Sequence, residues 1–158
     1  MRPAYIVEIV TPKKFHLEGI WFGPKKPKNA IVWVHGLSSN AFGKQDIINE
    51  LNKSGTAVLM FNNRGAERVV DVARTVAGKT KWTQGGAAHE IFTDSRDDVQ
   101  GAVNFVKKQG AKNIYLAGHS TGCQKSIYWA SKNGRGVRGI ILLAPISDYA
   151  ADLHRQGR

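Results

Sequence analysis

A serine between two glycines is the strongest chemical signal in the chain. Gly118-His119-Ser120-Thr121-Gly122 reads G-x-S-x-G and lies between a short apolar run, residues 114–117, and a helical pattern that begins near Thr121. Two glycines permit a sharp, strained turn from which Ser120 projects its hydroxyl. The free backbone N–H groups at the start of the following helix can then meet a developing oxyanion. A serine hydroxyl is a weak nucleophile on its own, so the chemistry also needs a base. The competing reading is an ordinary glycine-containing turn with a capping serine.

A second group supports the first. His35-Gly36-Leu37-Ser38-Ser39 directly follows the apolar run 30–34. In an open parallel sheet that loop lies beside the later serine turn, so the backbone N–H of Leu37, with that of Thr121, could bind a tetrahedral intermediate. In this reading His35 and Gly36 support the loop, and Gly118, His119 and Gly122 support the turn. A loop histidine and glycine without catalytic meaning is the bland alternative.

Such residues must be placed by a sheet and its helices. Residues 4–10 and 15–22 carry β-branched and aromatic side chains around Thr11-Pro12-Lys13-Lys14, as an antiparallel pair joined by a turn would. Residues 30–34 and 57–61 are continuous apolar runs, which suits strands buried on both faces. Between them, residues 43–53 place Ile47, Ile48 and Leu51 on one helical face. Asp94 is positioned to cap a helix through about Gln109, whose Val99, Ala102, Val103 and Val106 share a face before Gly110 stops it. Strand 114–117, a helix over 121–132 and strand 139–143 follow. The alternation predicts an α/β fold with a mostly parallel sheet, a leading antiparallel hairpin and helices on both faces. Residues 62–93 read as a long loop or insertion.

Length and composition set the bounds. The 158 residues suit about one domain with a genuine hydrophobic core. The single cysteine, Cys123, forms no internal disulfide, and its place one turn into a helix suits packing. No apolar stretch reaches the length of a membrane span and no leader pattern opens the chain, so the expected location is cytoplasmic. The net charge of +11 would attract polyanions. Its basic residues are scattered over four places, however, which fits a solvated surface better than a specific nucleic-acid face.

Weaker motifs carry less. Gly134-Arg135-Gly136-Val137-Arg138-Gly139 satisfies G-x-G-x-x-G but follows a helix and precedes a strand, the reverse of a dinucleotide site. Residues 73–80 resemble a P-loop that lacks its first glycine. His16, His89 and Glu90 have no metal-ligand spacing, although His89-Glu90 could approach the serine turn. Asp97 and Asp98 precede the serine strand and suit a bond to backbone or to a nearby arginine.

With these residues in place, the chain resembles the α/β-hydrolase superfamily from the first hairpin through the strand after the serine helix. The loop His35-Gly36-Leu37-Ser38-Ser39-Asn40, the turn Asn62-Asn63-Arg64-Gly65 and the G-x-S-x-G occur in that superfamily's order. Residues 118–124, with Leu143-Ala144-Pro145-Ile146-Ser147-Asp148 downstream, are similar to the branch containing fungal fusarinine siderophore esterases and uncharacterised prokaryotic hydrolases. The resemblance implies a serine hydrolase with Ser120 as nucleophile and Leu37 and Thr121 as oxyanion donors. It implies no cofactor, no metal and a small-molecule ester or acyl substrate.

The superfamily's order continues with an acid and then a histidine on later loops. After Ser120 the chain offers only His154, Asp148 and Asp152, none at a matching position. The expectation is therefore the amino-terminal portion of one hydrolase domain over residues 1–158, with 146–158 starting a cap segment or a disordered tail. A sheet left open at one edge would favour oligomers. The alternative function is a catalytically inactive, hydrolase-like module that binds a small ligand or an acidic partner.

Overall fold

A computed structural model describes residues 4–133 and 135–146, among which there are eight strands and three helices. Asp148, Asp152, His154 and nearly all of segment 146–158 lie outside the described residues. So does Gly134 of the G-x-G-x-x-G pattern.

Strands β1 (Ala4–Val10) and β2 (Phe15–Phe22) pair antiparallel along their whole length, and the turn between them closes with Lys14 N–H donating to Thr11 O at 2.9 Å. β3 (Asn29–Val34) and β4 (Ala57–Phe61) are the sheet's buried centre. Their apolar runs have no polar face because both faces are covered. Ala30, Val32, Val34, Leu59 and Phe61 pack with Val99, Val103 and Val106 of α2 (Ser95–Lys108) and Trp129 of α3 (Thr121–Asn133). Ile31, Trp33, Val58 and Met60 pack on the other side against Ile48 of α1 (Gln45–Lys53). The period of two along a strand thus deals successive side chains to two cores. Helices do cover both faces. No described helix is long and apolar enough to cross a membrane.

Segment 62–93 is not a bare loop. It contains a hairpin of β5 (Val70–Val76) and β6 (Lys79–Gly85), with Val76 opposite Lys79. Two residues, Ala77 (φ 50°) and Gly78 (φ 74°), make the connection, both left-handed as a tight hairpin of matching twist demands. The signal was weak because alanine stands where asparagine or aspartate is usual, and because β6 is exposed at six of its seven residues. Helix α2 also begins differently from expectation. A single 3-10 turn, Phe92–Asp94, precedes it, and Asp94 makes no side-chain capping bond. Its carboxylate instead meets Lys13 Nζ at 3.3 Å and Arg64 Nη1 at 3.4 Å, because two cations compete for it.

The sheet order is β6-β5-β2-β4-β3, then β7 (Asn113–His119) and β8 (Gly139–Leu143), with β1 also on β2. The β4-β3-β7-β8 half is parallel; the remainder is antiparallel and is enlarged by the β5–β6 hairpin. From β3 the chain crosses by α1 to β4 on one side. From β7 it crosses by α3, on the opposite face, to β8 on the other side. The direction of winding reverses between β3 and β7, where open α/β sheets place their ligands, beyond the carboxyl ends. Val34 pairs with Gly118 at that rim, so His35 and Ser120 leave adjacent strands side by side.

Candidate active site

Ser120 occupies the single step between β7 and α3. Its φ of 55° is left-handed, a conformation that costs a non-glycine residue about 1 kcal/mol or more. Fixed bonds hold the turn. Ser120 N–H donates to Leu143 O of β8 at 3.0 Å, and Cys123 N–H donates to Ser120 O at 2.9 Å.

The neighbouring glycines are required by space. A Cβ on Gly122 would lie 2.1 Å from Val34 O, and one on Gly118 would lie 2.4 Å from Gly122 O. At Gly36 an added Cβ would stand 3.0 Å from Ser120 Cβ and 3.4 Å from Ser120 Oγ. The loop after β3 therefore runs close to the serine turn, and a side chain at Gly36 would crowd Ser120. Leu37 follows with a half-exposed side chain, and Ser39 N–H donates to Gly36 O at 3.3 Å. Thr121 is the first residue of α3, where backbone N–H groups have no intrahelical acceptor.

Two histidines flank this arrangement. His35 is buried. Asn63 N–H donates to its Nε2 at 3.2 Å, which places the proton on Nδ1, and Nδ1 donates to Gly36 O at 2.8 Å. Burial is the main cause of its pKa falling to about 4, aided by the charge of Lys125. His119 stacks on Trp33 with ring centroids 6.4 Å apart, and its pKa is also lowered, chiefly by burial. The other described histidines lie elsewhere. His16 bonds Glu8 and Thr75, and His89 lines a cavity of about 110 Å³ with Arg64 and Gln84.

Cys123 packs beneath the turn. Its thiol donates to Gly118 O at 3.1 Å, and burial raises its pKa, which suits a structural role. Asp97 and Asp98 are structural as well. Arg64 Nε meets Asp98 Oδ1 at 2.7 Å, Arg64 N–H donates to Asp98 Oδ2 at 2.9 Å, and Asp97 Oδ1 accepts Lys13 N–H at 2.9 Å. The guanidinium also lies over Phe15, 4.1 Å from the ring centroid. Burial pushes Asp98 up to about 6 against the opposing pull of Arg64.

Sequence reasoning missed Lys125. It is fully buried on α3, pairs with Glu90 and reaches Asn63 Oδ1 at 3.4 Å. Its signal was helical spacing: Thr121, Lys125 and Trp129 recur every four residues, so a lysine falls on the stripe that faces the sheet.

The comparisons agree with this fold. An esterase from Pyrococcus furiosus is 20% identical with a TM-score of 0.71, over 91% of this chain and 50% of that one. An α/β hydrolase from Penicillium sp. sh18 is 19% identical with a TM-score of 0.74, over 98% and 50%. A highly thermostable carboxyl esterase from Bacillus coagulans is 18% identical with a TM-score of 0.66, over 90% and 44%. The chain thus spans about half the length of these solved structures, and the likeness is one of fold. No curated protein matches the chain. Residues 25–156 match the family described as serine aminopeptidase, S33, a span that runs from the loop before β3 past β8 and takes in the serine turn with its neighbouring loop. By fold and by that match, the chain belongs to the serine aminopeptidase, S33, family of α/β hydrolases.

Proposed function

We propose that the chain carries the nucleophile and the oxyanion donors of a serine hydrolase acting on carboxylic esters or related acyl bonds of small molecules. Ser120 Oγ attacks the acyl carbonyl carbon, and the carbonyl π electrons move onto oxygen. The N–H groups of Leu37 and Thr121 receive that negative charge. Collapse of the intermediate breaks the bond to the leaving group, and water then releases the acyl group from Ser120. A base takes the serine proton and returns it to the leaving group. Among the described histidines His35 is unsuited to that task, since both ring nitrogens are engaged and the ring stays neutral to about pH 4.

One observation carries the reading: the left-handed backbone of Ser120 at the β7–α3 turn, with Gly36 of the neighbouring loop packed close beside it. A strained serine at a helix start, with a second loop pressed close beside it, is what attack on a carbonyl needs and what a mere capping serine does not. The test is labelling with a fluorophosphonate probe followed by peptide mapping. Slow labelling confined to Ser120, and abolished by Ser120→Ala at unchanged circular dichroism, is the expected result. Equal labelling of the variant, or none in the folded wild type, would refute the reading and favour the hydrolase-like binding module.

A further inference from the structure

We infer that Lys125, through Asn63 and His35, is the residue that sets the direction of the Leu37 N–H. This rests on the reading of Leu37 as an oxyanion donor and adds to it a positioning residue from the interior.

The argument begins at the loop. In a trans peptide the carbonyl and the N–H point in opposite directions. Gly36 O accepts the bond from His35 Nδ1 at 2.8 Å, so the Gly36–Leu37 peptide presents its N–H away from the His35 ring. That bond exists only while Nδ1 carries the proton. Asn63 enforces this tautomer by donating its backbone N–H to Nε2 at 3.2 Å.

Asn63 is itself held at its side chain. Its Oδ1 accepts Gly65 N–H at 3.0 Å and Lys125 Nζ at 3.4 Å. Lys125 reaches it from α3, one turn beyond Ser120, and is anchored by Glu90 from the segment after β6. Gly65 leaves room for that anchor, since a Cβ there would collide with the Glu90 carboxylate. A charged lysine with no exposed surface is costly to desolvate and persists only when paired. Placed here, it ties the serine helix to the loop beyond β4 and through it to the loop beyond β3.

Lys125 has an electrostatic effect on the same ring. A protonated His35 would set an Nε2–H against the Asn63 N–H, donor against donor, and break the bond that ties Asn63 to the ring. The charged groups that act on His35 are Lys125 from α3, which disfavours protonation, and Glu67 from the loop after β4, which favours it; Glu90 faces it only through Lys125.

The test is nuclear magnetic resonance of the whole chain, which needs no turnover. In the wild type, long-range proton–nitrogen spectra should show His35 protonated on Nδ1, and the Leu37 amide should have a rigid order parameter of about 0.85. Lys125→Met should lower that value below about 0.6 and raise the His35 titration midpoint, with the Thr121 amide unchanged. Lys125→Met combined with Glu90→Gln removes both charges together, so a folded protein remains even if the single variant leaves Glu90 too costly to bury. It should loosen Leu37 in the same way, whereas Lys132→Met on the exposed end of α3 should not. A Leu37 amide and His35 tautomer unchanged in the folded double variant would overturn the inference. So would a mobile Leu37 or an Nε2-protonated His35 in the wild type itself. No fluorophosphonate labelling of a folded wild type whose Leu37 and His35 respond to the variants as expected would count against Ser120 and leave the positioning role standing.

Discussion

Gly122 shows how little freedom the site has at the scale of one residue. Its missing Cβ lets α3 approach β3 until a methyl group would stand 2.1 Å from Val34 O. Gly122→Ala should therefore destabilise the chain by about 3 kcal/mol or more in urea titration, the range of overpacking and backbone shift. A cost under about 1 kcal/mol would mean that the turn is looser than described. His35 gives a pH dependence with a definite sign. The unfolded ring binds a proton near pH 6.5, whereas the folded ring resists it to about 4. Between those values the unfolded state holds more protons, so stability falls on acidification, by at most about 3 kcal/mol from this group. Asp98 works the other way. With its pKa pushed from 3.8 to about 6, the folded state binds its proton more readily, and its contribution is lost as pH rises through that window. Denaturation at pH 4.5 and pH 7 should show a smaller loss on acidification in His35→Gln than in wild type. Equal losses would contradict the neutral, doubly bonded ring.

At the scale of elements, the strands differ in how much they bear. Leu59 in β4 is fully buried, and Leu59→Ala should cost about 2–5 kcal/mol in urea titration. Trp82 in β6 is 69% exposed, and Trp82→Ala should change stability by no more than about 0.5 kcal/mol. The same contrast explains what could be read in advance. β3 and β4 were legible because a strand covered on both faces must be apolar throughout. The serine turn was legible because G-x-S-x-G lay between a strand and a helix pattern. β5 and β6 were not, since a hairpin with one solvated face and an Ala-Gly turn leaves only the alternation of Val70, Val72 and Val76 as its mark. The buried Lys125–Glu90 pair was hidden for another reason. Charge ordinarily marks a solvated face, and only the helical spacing of Lys125 with Trp129 says otherwise.

For the whole molecule, the parallel half of the sheet concentrates the loops of β3, β4, β7 and β8 at one rim, and the winding reverses between β3 and β7, where open α/β sheets place their ligands. That placement followed from the strand–helix alternation alone. The open side was expected from the resemblance instead. Ile141 and Leu142 of β8 are each about two-fifths exposed, and among the described residues no strand pairs with its outer edge. Charge is a property of the surface as a whole. The excess of +11 should hold the chain on heparin at low salt and release it at modest ionic strength, because dispersed contacts lose affinity steeply as counterions compete. Retention that survives physiological salt would indicate an organised anion-binding face.

A crystal structure of the chain after reaction with a small phosphonate tests the central claim most directly. The account predicts phosphorus bonded to Ser120 Oγ and a phosphoryl oxygen within about 2.7–3.1 Å of both the Leu37 and Thr121 nitrogens. An adduct on another residue, or an oxygen at Ser120 turned away from the Leu37 amide, would contradict it.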